Sequence, residues 1–307
     1  MRMTPRDYAE DAGDFRRLVG LVTDDPVHVR TRTTWCLGRL ADWKYGLWGA
    51  KPTIVRFCER NARLWLDAFG DLAGAAISEE GGPQVVVLTT RGYRFLYEEV
   101  LAWAVDAWGG RGALSVEIGE RADVEAAALE RSGFRRESVF QAYEFDLALP
   151  PPDPPALPDG FTIVDMRTHP DYRARRLLRA EAFEGRSDLA GDALERDLEL
   201  DAASRRSPIY HAATDVYVRA PDGRLVAGCE ALIDARNAAA DVERVCTHSA
   251  FRRRGLARAA IAACLGRLRA MGLERAYLAG YSREALGLYG ALGAVRASTS
   301  LVYRQAG

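Results

Sequence analysis

The stretch Val242-Glu243-Arg244-Val245-Cys246-Thr247-His248-Ser249-Ala250-Phe251-Arg252-Arg253-Arg254-Gly255-Leu256-Ala257 decides how this chain is read. Its first six residues have strand character. From residue 254 to 271, apolar residues recur at helical spacing, with Leu256, Ala260, Ile261, Cys264, Leu265, Leu268 and Met271 on one face. Between them lies a short loop holding three arginines and a glycine. A helix start exposes unsatisfied backbone N–H groups and the positive end of the helix dipole, so this junction is suited to an anion. Gly255 lets the backbone approach a phosphate closely, and Ala257 keeps the first turn open. Arg252, Arg253, Arg254 and Arg258 add charge and forked donors. Cations are disfavoured at a helix N-terminus unless an anion joins them, which favours a ligand over a merely solvated face. The loop is neither G-x-x-x-x-G-K-[ST] nor G-x-G-x-x-G.

Outward from this point, Gly272 stops the helix. A strand over 276–280, a short helix over 283–292 and a closing strand over 298–304 follow. Upstream lie a strand over 161–167, helices over 173–183 and 192–203, and a strand over 240–247. A hairpin joins 215–220 to 224–234 through Pro221-Asp222-Gly223. The first half echoes this order: a hairpin over 63–67 and 72–78, a strand over 84–89, a helix over 93–108, a strand over 113–118, a helix over 123–131 and a strand over 137–147. A shift of about 160 residues lays Val124 to Phe134 over the stretch ending Leu288-Tyr289-Gly290-Ala291-Leu292-Gly293-Ala294. The pattern predicts a tandem repeat of one α+β fold, each half a twisted mixed sheet, mostly antiparallel, with helices on both faces. The run Pro150-Pro151-Pro152-Asp153-Pro154-Pro155-Ala156-Leu157-Pro158, six prolines in nine residues, reads as a semi-rigid spacer. It sets a first domain over 1–149, a linker over 150–159 and a second domain over 160–307.

Composition narrows the function. The 42 basic and 43 acidic residues leave a net charge of −1, which argues against a general nucleic-acid binder. No long apolar run or signal peptide is present, so the chain is expected to be cytoplasmic, without a membrane partner. Cys36, Cys58, Cys229, Cys246 and Cys264 lack metal-ligand spacing, as do His28, His169, His211 and His248, so reduced, packed thiols and no metal are expected. All six tryptophans precede the proline run, and Trp35, Trp43 and Trp48 read as core or lid residues.

Arg252-Arg253-Arg254-Gly255-Leu256-Ala257 resembles the R/Q-x-x-G-x-G/A acetyl-CoA loop of the GNAT superfamily of N-acetyltransferases, at the same strand-to-helix junction. Ala285-Leu286-Gly287-Leu288-Tyr289-Gly290-Ala291-Leu292-Gly293 is similar to the family's A-x-x-L-Y-x-x-x-G-F, at the usual distance downstream. The resemblance covers residues 160–307 well and the first half in outline. The layout is similar to tandem-GNAT proteins, of which mycothiol synthases are one type.

The resemblance implies that acetyl-CoA is the cosubstrate, entering where neighbouring parallel strands splay apart near Val245 and Tyr277. Val245, Cys246 and Thr247 would pair with the pantetheine arm. Arg252, Arg253, Arg254, Gly255, Leu256, Ala257 and Arg258 would surround the pyrophosphate. Tyr289 takes the place of the acid that protonates the departing thiolate, and Ser282 that of an asparagine contacting CoA. Ala294 replaces the usual phenylalanine, at a cost in packing. Glu243 resembles carboxylates that deprotonate the amine through water. His248 is the rival base, with capping as its other reading. Strand alternation puts Glu243, Val245 and Thr247 on one face. Cys246 is expected to be packed rather than nucleophilic. The first half has Thr89-Thr90-Arg91-Gly92-Tyr93-Arg94 at the matching junction and Leu129 at the tyrosine position, so it is expected to be degenerate and non-catalytic. The resulting expectation is an N-acetyltransferase acting on a primary amine of a small molecule by direct attack. The alternative is a non-catalytic acyl-CoA-binding sensor or complex component. The acceptor pocket is expected from residues 173–206, and the oligomeric state stays open.

Overall fold

The computed structural model describes residues 3–25, 28–29, 35–46, 54, 56–150, 156–280 and 282–306. Trp48 and most of the proline run, 151–155, lie outside the described residues. The chain divides into two compact units, Met1–Ala142 with Ala297–Gly307, and Tyr143–Arg296.

The first unit opens with β1 (Thr4–Asp7), α1 (Asp14–Asp24), α2 (Leu37–Tyr45) and α3 (Phe57–Asn61). Then come β2 (Ala62–Leu66), β3 (Leu72–Ser78), β4 (Gln84–Thr89), α4 (Tyr97–Trp108), β5 (Ser115–Gly119) and α5 (Asp123–Arg131). The run Val85-Val86-Val87-Leu88 shows why β4 is central. Val85 and Val87 pack with Tyr97, Val100 and Leu101 of α4, while Val86 and Leu88 pack with Leu18, Leu40 and Trp43 on the other side. Trp35 and Trp43 are core residues here.

Strand β6 (Phe134–Asp146) begins in the first unit and ends in the second. Its end carries Phe145 into the second core, and Leu147 follows it there. The second unit continues with β7 (Thr162–Asp165), α6 (Tyr172–Glu184), α7 (Gly191–Ser204), β8 (Tyr210–Arg219), β9 (Leu225–Asp234) and β10 (Ala239–Thr247). It is completed by α8 (Leu256–Ala270), β11 (Arg275–Gly280) and α9 (Arg283–Ala291). Its strand order is β11-β10-β9-β8-β7. Helix α8 packs Leu256, Ala260, Ile261, Cys264 and Leu265 with Val216, Val226 and Val242, and Leu178 of α6 packs with Tyr217 and Cys246. Met271, expected on the apolar face of α8, instead follows its end and is 43% exposed.

The last strand departs from the expected division. β12 (Val295–Gln305) does not close the second half: Ser300 to Arg304 pair antiparallel with Gly119 to Ser115 of β5, and residues 297–307 belong to the first unit. Alternating burial identifies a strand but not its partner, and local periodicity places β12 with the half that precedes it in sequence. Among the described residues, no helix is long and apolar enough to cross a membrane.

Candidate active site

In the second unit, β10 and β11 pair in parallel only at Ala239–Arg275, Ala240–Ala276 and Asp241–Tyr277. Among the described residues the register between these strands ends at Asp241. The cause lies within β10. Against β9, Glu243 pairs with Glu230 and Cys246 with Gly228, so one extra residue is accommodated between them. Arg244 takes a left-handed backbone there, with φ 53°. Such a bulge bends its strand and re-aims the side chains around it. Val245, within the bulge, and Thr247, beyond it, line a cavity of about 790 Å³, whereas Glu243, before it, is not among the lining residues. Along β10, Glu243, Val245 and Thr247 are half-buried while Arg244 and Cys246 are buried, the alternation expected for this strand.

The strand leads into a short helical turn, Ser249–Phe251. Glu181 of α6 holds this turn, accepting the Ser249 N–H at 3.1 Å and also the Ser249 hydroxyl. His248 caps the turn, its Nδ1 accepting the Ala250 N–H at 3.2 Å. Arg253 and Gly255 then adopt left-handed backbones, φ 63° and 77°. Gly255 is the N-cap of α8, which receives no side-chain cap. The first N–H groups of a 15-residue helix are thus presented without a side-chain acceptor, directly at the cavity wall formed by Gly255, Leu256, Ala257 and Arg258. Left-handed residues next to a helix start present successive N–H groups to an anion.

The arginines differ. Arg252 and Arg253 are exposed and line the cavity, while Arg258 lines it with a buried Nε that has no hydrogen-bond partner among the described residues. Arg254 is not among the lining residues; its guanidinium stands 5.2 Å from the Phe251 ring centroid. Cys246 lines the cavity but is buried, and burial pushes its thiol up to about 12.

The opposite wall comes from α9. Ser282 caps this helix, its Oγ accepting the Ala285 N–H at 3.1 Å, and it lines the cavity together with Ala285, Leu288 and Tyr289. Its hydroxyl proton remains able to donate. The Tyr289 ring approaches β11 at Gly280, where a Cβ would stand 3.0 Å from the Tyr289 Cε2 and 2.9 Å from the Leu286 Cδ2. Burial first, and then the Glu243 carboxylate, raise the Tyr289 phenol above the ordinary tyrosine value, so its proton is firmly held. The structure thus gathers Val245, Cys246, Thr247, Arg252, Arg253, Gly255, Leu256, Ala257, Arg258, Ser282 and Tyr289 around one cavity. Glu243 lies near enough to Tyr289 to act on its charge state.

One set of residues went unread in the sequence: Arg175 and Arg179 of α6, Asp201 of α7, Asp215, Glu230 and Arg244 form a buried ionic network. The signal was present in Leu225-Val226-Ala227-Gly228-Cys229-Glu230-Ala231-Leu232-Ile233-Asp234, where a lone glutamate interrupts an apolar run.

The corresponding place in the first unit is built differently. β4 and β5 also pair in parallel briefly, at Gln84–Ser115 and Val85–Val116. But the Arg91 N–H, at the turn after β4, donates to the Asp25 Oδ2 at 2.9 Å, and the His28 Nε2 lies 3.1 Å from the Thr89 carbonyl. Leu129 is fully buried. The Arg91 N–H is thus held by a carboxylate of the chain itself.

Residues 174–294 match the family model described as Acetyltransferase (GNAT) family. No curated protein sequence matches the chain. Among solved structures, a GCN5-related N-acetyltransferase from Sphaerobacter thermophilus is 19% identical with a TM-score of 0.63, over 98% of this chain and 95% of that one. A tandem GNAT protein from the clavulanic acid biosynthesis pathway is 15% identical with a TM-score of 0.71, over 99% and 98%. A glucosamine N-acetyltransferase region in a fungal multi-domain β-N-acetylglucosaminidase is 14% identical with a TM-score of 0.55, over 98% of this chain and 38% of that one. The uncapped helix and the split strands lie within the stretch that matches the GNAT family model, and the fold of the whole chain is similar to that of a tandem GNAT protein.

Proposed function

We propose that the second unit transfers an acetyl group from acetyl-CoA to a primary amine of a small molecule by direct attack. The observation that carries this is the uncapped N-terminus of α8 opening onto the cavity beside the split between β10 and β11. The residues present fit the cosubstrate. A diphosphate would meet the main-chain N–H groups at the start of α8, with Arg252, Arg253 and the buried Arg258 Nε supplying charge. The edge of Val245 to Thr247 would take the pantetheine amides as an added strand. Main-chain N–H groups next to the bulge would polarise the thioester carbonyl. Glu243 would accept the amine proton through water. As the new N–C bond forms and the C–S bond breaks, Tyr289 would give its proton to the sulfur. A thiolate leaves more readily with a weak acid at hand, and a phenol kept protonated by burial supplies one. Cys246 takes no covalent part, since a thiol whose proton is held to about 12 is a poor nucleophile at neutral pH.

The first unit is read as non-catalytic, with Asp25 standing in for a bound anion. A small amine acceptor accords with the glucosamine N-acetyltransferase region among the structural neighbours. Thiol release from acetyl-CoA in the presence of a broad amine panel tests the proposal, with Tyr289→Phe as control. Release by the wild type that drops in the variant supports it. Tight acetyl-CoA binding with no release for any amine would instead favour the acyl-CoA-binding role.

A further inference from the structure

Arg244 poses a question. A non-glycine residue in the left-handed region is unfavourable, and long side chains are not the usual occupants. Something must hold it at φ 53°. Its guanidinium turns inward and meets Glu230 at 2.5 Å, with side-chain exposures of 3% and 2%. Glu230 stands opposite Glu243 in the β9–β10 register, beside the extra residue. Its other oxygen accepts from the Arg179 Nη2 at 3.0 Å, and that nitrogen also reaches the Tyr217 hydroxyl at 2.7 Å and the Asp215 Oδ1 at 3.3 Å. Arg175 adds ion pairs to Asp215 and Asp201. Tyr217 itself lies across Gly228, where a Cβ would come within 2.2 Å of the ring. A buried glutamate with this many cationic neighbours is fixed in place, because leaving either partner unpaired inside the protein is costly. The network also spans the cavity walls: Arg175 and Arg179 belong to α6, which brings Ala182 and Phe183 to the cavity, and Arg244 belongs to β10, which brings Val245 to Thr247.

We infer that Glu230 is a positioning residue for acyl transfer: through Arg244 it fixes the bulge that separates β10 from β11 and aims the adjoining main-chain N–H groups at the thioester carbonyl. This rests on the acyltransfer reading above. It assigns Glu230 no contact with substrate.

The test follows the carbonyl itself and needs no known acceptor. The infrared stretch of [1-¹³C]acetyl-CoA is compared free and bound, because a hydrogen-bonded carbonyl absorbs at lower frequency. In the wild type the stretch falls on binding. In Glu230→Gln that fall is lost, while affinity for CoA, held by the start of α8, stays within about twofold. With any competent amine, kcat drops by at least about tenfold, in keeping with a misplaced oxyanion donor. Glycine adopts φ 53° unaided. The double variant Glu230→Gln with Arg244→Gly is therefore expected to recover the wild-type stretch, and it reads the same point should the single variant fail to fold. The inference is overturned if Glu230→Gln keeps the wild-type stretch. It is equally overturned if CoA and acetyl-CoA affinity fall together in that variant, or if the double variant does not recover. A wild type that binds no acetyl-CoA overturns the acyltransfer reading instead, which separates the two failures.

Discussion

Tyr289 shows what one side chain's surroundings dictate. It is 5% exposed, its hydroxyl makes no hydrogen bond among the described residues, and burial followed by the Glu243 charge holds its proton. A group whose ionised form is disfavoured in this way remains an acid across the neutral range. The rate of acetyl transfer should therefore show no loss attributable to the phenol between pH 7 and about 10, where a free tyrosine would already be ionising. Stopped assays across that range check this, and a declining limb centred near the ordinary tyrosine value would contradict it. Tyr289→Phe should lower kcat by about a hundredfold or more, with CoA affinity unchanged, when turnover and calorimetry are compared. The sequence offered this tyrosine only through its place in a motif. Its burial and its neighbour Glu243 come from Gly280 and the bulge, which no local pattern announces.

At the scale of elements, two glycines carry the argument. Gly255 caps α8 at φ 77°, so Gly255→Ala forces a side chain into a left-handed backbone at the very turn that presents the amides. The expected result is a stability loss of about 1 kcal/mol, seen in chemical denaturation, and weaker CoA binding by calorimetry. Gly280→Ala acts elsewhere: its Cβ would press on Tyr289 and Leu286. It should lower kcat while sparing CoA affinity, and a variant with the opposite pattern would count against the placement of Tyr289. The strand-to-helix junction over 242–257 was legible because its helix has a clear apolar face and its loop has an unusual cluster of charge. The hairpin across Pro221-Asp222-Gly223 was legible for a similar reason, and β8 and β9 pair across it. The start of α4 was not. Residues 91–96 form a tight helical turn with an irregular backbone at Tyr93, and only Tyr97–Trp108 is α-helical. Periodicity registers the apolar positions without distinguishing the two.

At the scale of the molecule, long-range pairing was beyond the reach of the sequence. The composition of β12 says strand; its partner β5 lies about 180 residues earlier, and nothing local encodes that choice. Deleting residues 297–307 from the full chain is expected to expose β5 and weaken the first unit, seen as faster amide exchange over 115–119. Unchanged protection there would contradict the assignment. Of the buried network only Glu230 left a mark in the sequence, because its association with Arg175, Asp215 and Arg244 forms only on folding. Burial opposes ionisation of Glu230, but Arg244, Arg179 and Arg175 outweigh it and hold the carboxyl below its usual range. A carboxylate with a lowered folded-state pKa contributes stability above its unfolded value, about 4.3, and loses it as pH falls toward the folded value. The second unit should therefore lose stability below about pH 4, as Glu230 is protonated. In thermal melts, Glu230→Gln should flatten that dependence.

In our proposal the start of α8 binds a diphosphate through its main-chain N–H groups, while Asp25 denies the first unit the same ability. Titration calorimetry of the intact chain with CoA tests it most directly. Saturable binding of one CoA per chain, weakened in Gly255→Ala, is expected. Absence of any uptake, or two equivalent molecules per chain, would contradict it.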